Sequence, residues 1–225
     1  MSTSPARAHG ERLARKVRRD GVAGTVRTVA HRAAEAAWLR ETHVWLVMGL
    51  DEDRPRPSLP AGLQFRQLQA AEVTLVADLG VDVTGSRERL RRGHQLFATF
   101  DDGRLIAVMW AFVGEAPTIV HATGYISLPA GHANPEDTVV APDQRGRGIA
   151  PGMYSRVFDE LSRQGFSHVV GKIPVANTAN RRACSKVGWH EFAVIDLRRL
   201  FGRRRVTVRP VHGADVGWLA AAVAA

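Results

Sequence analysis

Apolar positions change their spacing several times along this 225-residue chain, and each change marks an element. From Glu11 to Glu41 they recur every three to four residues (Leu13, Val17, Val22, Val26, Val29, Ala33, Ala37, Trp38), the period of an amphipathic helix interrupted by Gly21 and Gly24. His43 to Gly49 reads as a strand, and Pro55, Pro57 and Pro60 make Asp51 to Pro60 a linker. Residues 62–68 alternate as a strand does, whereas Ala70–Leu79 and Ser86–Gly93 read as helices. Two apolar runs, Gln95–Phe100 and Arg104–Val113, flank Asp101-Asp102-Gly103, so the pattern predicts a hairpin with an aspartate-glycine turn. Thr118–Leu128 adds one or two further strands.

The second half alternates between the two periods. Asp137–Ala141 reads as a strand, Pro151–Arg163 as a helix with proline in its first turn, and Ser167–Ile173 as a strand. Ala179–Val187 follows as a helix ended by Gly188, then strands at Glu191–Leu197 and Arg203–Arg209, and a helical turn at Gly217–Ala225. Antiparallel strands followed by β-α-β-α-β predict an α/β fold, with a mixed, mostly antiparallel central sheet flanked by helices. Residues 1–61 are expected to form a basic helical N-terminal extension with one strand and the proline-rich linker, and residues 62–225 the main domain.

Composition narrows the function. With 45% hydrophobic and 24% charged residues the chain is globular rather than disordered. The formal net charge of +9 favours anionic partners: nucleic acid, anionic lipid or a polyanionic cofactor. No helix-turn-helix or interleaving of aromatic and basic residues accompanies that charge, so nucleic acid is not the expected partner. Cys184 is the sole cysteine, which excludes an intramolecular disulfide and a cysteine-built zinc site; no metal is expected. No apolar run approaches the ~18 residues of a membrane span, and Met1–Asp20 has no apolar signal region. A cytoplasmic location is the expectation. The basic face of the N-terminal helix (Arg12, Arg15, Lys16, Arg18, Arg19) leaves open a peripheral contact with anionic lipid, and a homodimer also stays open.

The most informative segment is Arg145-Gly146-Arg147-Gly148-Ile149-Ala150, set between a strand and a helix. Glycines let backbone approach a ligand closely, and the free N–H groups of a first helical turn point at an anion. The Walker pattern is missing, since no lysine and serine follow Gly148. A dinucleotide fold would place its glycines in the first strand-turn-helix of a parallel sheet, whereas these follow an antiparallel hairpin.

Arg145-x-x-Gly148-x-Ala150, preceded by Val140-x-Pro142, resembles the acyl-CoA-binding segment of the GCN5-related N-acetyltransferase (GNAT) family. Asn177-Thr-Ala-Asn180 and Lys186-Val-Gly188-Trp189 resemble the same family's later Asn…Lys-x-Gly-aromatic segment, and the likeness spans about residues 62–198. It implies that Arg145, Gly146, Arg147, Gly148, Ile149 and Ala150 cradle the CoA pyrophosphate. Val139 and Val140 would pair with the pantetheine arm along a splayed strand edge, and Asn177 would help to hold the same arm.

Transfer of an acyl group to an amine needs a base for the amine and a proton for the leaving thiolate. Period-2 alternation puts His132, Asn134, Glu136 and Thr138 on one strand face. Glu136 is the first choice of base and His132, with a pKa near neutrality, the second. The family often carries a tyrosine seven residues after the asparagine; here that position is Cys184, a candidate acid. Tyr154 and Tyr125, the only tyrosines, stand as substitutes. The resemblance implies an N-acetyltransferase using acetyl-CoA, or another acyl-CoA, on an amine of a small molecule or peptide. The alternatives are a non-catalytic CoA-binding regulatory domain, and an N-acyltransferase with a longer acyl donor at a membrane surface.

Overall fold

A computed structural model describes residues 38–201 and 203–225. Ten strands are present among them: β1 (Trp38–Gly49), β2 (Gln64–Leu68), β3 (Gln95–Asp101), β4 (Arg104–Val113), β5 (Glu115–Pro117), β6 (Tyr125–Ser127), β7 (His132–Val140), β8 (His168–Pro174), β9 (His190–Leu200) and β10 (Arg203–Pro210). Four α-helices accompany them: α1 (Val83–Arg91), α2 (Ile149–Arg163), α3 (Thr178–Ser185) and α4 (Gly217–Ala224). Eight strands form one sheet in the order β10-β9-β1-β8-β7-β4-β3-β2, and β5 pairs with β6 in a separate hairpin. The α/β fold with a mixed, mostly antiparallel sheet flanked by helices is therefore the one that the sequence predicts.

Some elements differ from their expected form. Residues 11–37 of the expected N-terminal helix lie outside the described residues, and Trp38–Glu41, expected to end it, instead open β1. The strand grouped with the extension is part of the sheet: His43–Gly49 pair antiparallel with β8. Ala70–Leu79 winds as a 3₁₀ helix. Helix α1 begins three residues before Ser86 because Asp82 caps it, accepting from the backbone N–H of Thr84 and of Gly85 at 3.0 Å each. Within Thr118–Leu128 only Tyr125–Ser127 is extended.

Among the described residues two compact units are distinguished, 42–195 with 208–225, and 38–41 with 196–207. In the smaller unit, the Asp196 carboxylate lies 3.0 Å from Arg198 and 3.5 Å from Arg40. The larger unit holds the core. Every residue of β4 from Leu105 to Phe112 is buried, which explains its unbroken apolar run: both faces are covered. On one face Ala107, Met109 and Ala111 belong to the same cluster as Ile149, Met153, Val157 and Leu161, four residues apart along α2. Burying each of these larger side chains contributes about 1.5–3 kcal/mol, enough to hold the helix against the sheet. On the other face Val108, Trp110 and Phe112 cluster with Leu68, Val76 and Leu96.

Strand β7 is what opens the sheet. It pairs with β4 from Ala133 to Val140, but with β8 only at His132 and Ala133. Beyond that point the two parallel strands splay apart. Strand β7 also carries a bulge: Trp110 faces Glu136 whereas Val108 faces Val139, so β7 has one residue more than β4 between these pairs. Asp137 sits in that stretch with φ 54°, and Arg89 of α1 donates to its carboxylate at 2.8 Å.

Candidate active site

A cavity of about 340 Å³ occupies the splay between β7 and β8. Its walls include Asn134 and Glu136 of β7, Lys172 of β8, Tyr154 and Phe158 of α2, and Cys184 just inside the end of α3. Arg54, Pro55 and Pro57 of the linker also reach it.

At the narrow end, where the ladder stops, Asn134 replaces a lost strand contact. Its side-chain Nδ2 donates to the Val170 carbonyl at 2.8 Å, while its Oδ1, fully buried, has no donor within the protein. Further along the opening, Lys172 Nζ spans the gap and donates to both carboxylate oxygens of Glu136, at 2.7 and 2.5 Å. Burial pushes the Glu136 carboxyl above the usual carboxylate range, and Lys172, which pulls it down, does not fully offset that.

The glycine loop stands at the other end. Gly146 and Gly148 both have φ 77°, a left-handed conformation that side chains resist. Gly148 caps α2, so the first-turn N–H groups of that helix have no intrahelical partner and face outward with the positive end of its dipole. Arg104 fixes the approach to the loop, donating to both carboxylate oxygens of Asp143 at 2.7 and 3.1 Å. Arg145 donates its Nε to the Val140 carbonyl at 3.3 Å, and Arg147 lies 3.4 Å from Asp101.

Of the candidates from sequence, Glu136, Ala150 and Cys184 line the cavity. Val139 and Val140 lie on the stretch of β7 that has no ladder to β8. His132 is elsewhere: its ring stacks on His168 at 4.8 Å, where β7 and β8 still pair. The Asn177 side chain caps α3 by accepting from the Asn180 N–H at 3.2 Å, and Asn180, not Asn177, lines the cavity. The expected alternation holds from Asn134 to Glu136 and then breaks. The bulge sends Thr138 to the α2 face, where its hydroxyl lies 3.5 Å from that of Tyr154.

Cys184 is half-buried, and burial pushes its thiol up, so it stays protonated at neutral pH. Tyr154 is also pushed up by burial and keeps its proton. Tyr125 is outside the cavity, its ring stacked on His94. Tyr154, named from the sequence as a substitute acid, lines the cavity, and Lys172 and Arg54 join it on structural grounds. Lys172 had a visible signal, a lone charge within the apolar run Val169–Ile173. Arg54 had none, because its linker shows no periodicity.

A splayed parallel pair beside a strand-loop-helix, in a mixed sheet, defines an acyl-CoA N-acyltransferase-like fold. The family model described as the acetyltransferase (GNAT) family matches residues 64–189, more than half of the chain, and the chain belongs to that family. Among solved structures, a GCN5-related N-acetyltransferase from Sphaerobacter thermophilus matches 84% of this chain and 58% of its own, with TM-score 0.51 and 15% identity. A tandem GNAT protein from the clavulanic acid biosynthesis pathway matches 83% of this chain and 59% of its own, with TM-score 0.52 and 15% identity. A Drosophila protein matches 80% and 59%, with TM-score 0.51 and 16% identity. At such identities the likeness is one of fold, and this chain spans less than two thirds of each of these structures. No curated protein sequence matches the chain.

Proposed function

We propose that this chain is an acyl-CoA-dependent N-acyltransferase that passes an acetyl group to a primary amine of a small molecule or peptide by direct attack in a ternary complex. The observation that carries the reading is the splay of β7 from β8, with a glycine loop at one end and a half-buried carboxylate within it. The residues present suit a CoA thioester. The N–H groups at the start of α2 would take its pyrophosphate, and the unpaired edge of β7 would take the amides of its pantetheine arm. Bound there, acetyl-CoA would supply a thioester carbonyl for the amine to attack.

Glu136 then accepts the proton that the incoming ammonium must lose. The sign of its shift matters: a carboxyl raised by burial is a stronger base once ionised, and it ionises at a higher pH than an ordinary glutamate. Lys172 holds both carboxylate oxygens and so fixes the direction in which the base faces. Tyr154 and Cys184, which line the cavity and keep their protons, would donate to the departing sulfur, and a phenol is the better hydrogen-bond donor of the two.

The test pairs calorimetry with kinetics. Glu136→Gln should leave acetyl-CoA affinity within about threefold and lower kcat on a responsive amine by about 10²–10⁴-fold, the usual worth of a general base. In the wild-type protein kcat/KM should rise with pH through a pKa above the usual carboxylate value, and that limb should disappear in Glu136→Gln. Unchanged turnover would remove Glu136 as the base. Tight acetyl-CoA binding without turnover on any amine would make the chain a CoA-binding regulatory domain instead.

A further inference from the structure

The hairpin of β9 and β10 carries chemistry that the acyltransferase reading does not use. The two strands are neighbours in the sheet, and only residues 201 and 202 separate them in the chain. The tip of this hairpin is apolar. Phe201 is 81% exposed and Leu200 beside it 54% exposed. Among the described residues one further large apolar side chain is exposed, Ile119, so two of the three are adjacent here.

Phe201 also holds a costly backbone. Its φ is 45°, in the left-handed region that glycine or asparagine accepts and a bulky side chain resists. Two-residue connections between paired strands favour Asn-Gly for this reason, and this chain has Phe-Gly instead. A ring that is strained into place and left in water does not hold the core together.

Charge around the tip is one-sided. In the compact unit that contains it, residues 38–41 and 196–207 carry six arginines against Glu41 and Asp196, a net charge of +4. Arg198, Arg203, Arg204 and Arg205 are all exposed and stand within four residues of Phe201. Arg198 and Arg40 share the Asp196 carboxylate, at 3.0 and 3.5 Å, and the positive excess survives that pairing.

Charged residues on an edge strand commonly block unwanted strand pairing, and β10 ends the sheet. That use accounts for the arginines. It does not account for a phenyl ring and a leucine displayed among them. A bilayer with anionic headgroups over acyl chains takes both: guanidinium groups pair with phosphates, and apolar side chains enter beneath. Nucleic acid would take the charge without needing the leucine. A second copy of this hairpin would set like charge against like.

We propose that the β9–β10 tip docks on an anionic lipid bilayer. Phe201 and Leu200 enter the boundary between headgroups and acyl chains, and the surrounding arginines meet the lipid phosphates. This inference stands apart from the acyltransferase reading and holds or fails without it.

The experiment titrates the full chain with vesicles and separates bound from free protein by flotation. The vesicles are phosphatidylcholine alone, or phosphatidylcholine mixed equally with phosphatidylglycerol. Wild-type protein should bind the mixed vesicles and not the neutral ones, and added salt should weaken that binding. Phe201→Asn is the most informative variant, because asparagine suits a φ of 45° and removes the ring. It should bind the mixed vesicles at least about tenfold more weakly, the scale of withdrawing one aromatic side chain from an apolar phase. Its melting temperature should not fall. Arg203→Gln combined with Arg205→Gln should weaken binding about 30-fold, roughly fivefold for each charge.

Wild-type protein that ignores the mixed vesicles overturns the proposal. Equal binding by wild type and Phe201→Asn also overturns it, since any lipid contact would then lie elsewhere in the chain. A lower melting temperature in Phe201→Asn would make the ring a structural pin and overturn it as well. Affinity for a random DNA duplex that the arginine variant loses, without vesicle binding, would make the tip a nucleic-acid surface instead.

Discussion

The glycine loop at 145–150 and the proline-rich linker at 51–60 are both short, irregular and arginine-bearing, and both reach the same cavity. They work through opposite parts of the chain. The loop acts with its backbone: two left-handed glycines and the first turn of α2 turn N–H groups outward. Its two arginine side chains, Arg145 and Arg147, stay exposed, and the path is written in glycines because only they permit it. The linker acts through where one side chain is carried. Gly152 gives it a seat on α2, and Arg54 is brought under cover. Nothing in its local pattern announces this.

Substitutions can separate these two modes. The largest effect should come from Gly148→Val. A β-branched residue at φ 77° faces a strain of about 1–2 kcal/mol and also swings the first-turn N–H groups off line. Acetyl-CoA affinity should fall by at least about 100-fold on the scale of several lost charge-assisted hydrogen bonds, with the circular dichroism spectrum unchanged. Retained affinity in a calorimetric titration would show that backbone geometry is not what the loop contributes.

A smaller effect should come from the linker's seat. A Cβ added at Gly152 would lie 2.8 Å from the Leu59 backbone, a neighbour that cannot simply rotate away. Alanine gains about 1 kcal/mol of helix propensity, but overpacking costs about 1–3 kcal/mol, and against backbone the cost wins. Gly152→Ala should lower the melting temperature by about 2–4 °C, the shift expected for a net loss near 1 kcal/mol in a chain of this size. A higher melting temperature would mean that the linker lifts off freely.

The smallest effect concerns the approach to the loop. The paired donors of Arg104 hold the Asp143 carboxyl at about 2, below its usual value of 3.8. A carboxylate depressed in the folded state contributes stability that is present above its ordinary pKa and is lost as pH falls through about 2. Arg104→Ala should return Asp143 toward 3.8 in an NMR titration without touching affinity at neutral pH. A value still near 2 would mean that Gln144 alone sustains the shift.

The fold was legible where local chemistry dictates it. The Asp101–Gly103 hairpin, the four-residue spacing along α2 and the Gly188 stop were all visible in the chain. The candidate site was legible only in part. Alternation along β7 led to Glu136, but the bulge at Asp137 depends on pairing with β4, so Thr138 could not be placed. His132 has the right chemistry, yet it sits where the ladder is still closed. Tyr154 lies on a helix face set by packing, and Lys172 meets Glu136 only because β7 and β8 part at that level. Such features belong to the sheet as a whole, and no window of neighbouring residues contains them.

Strand β1 gives the sheet a seam. It lies before the family-matched segment in the chain, yet it is hydrogen-bonded along β8, a strand synthesised far later. A fragment trimmed to residues 64–189 would lack it and would leave the Val169–Ile173 edge with its ladder partners missing. Such an edge recruits foreign strands, so the trimmed piece should come out of cells as aggregate even though every motif of the family is in it.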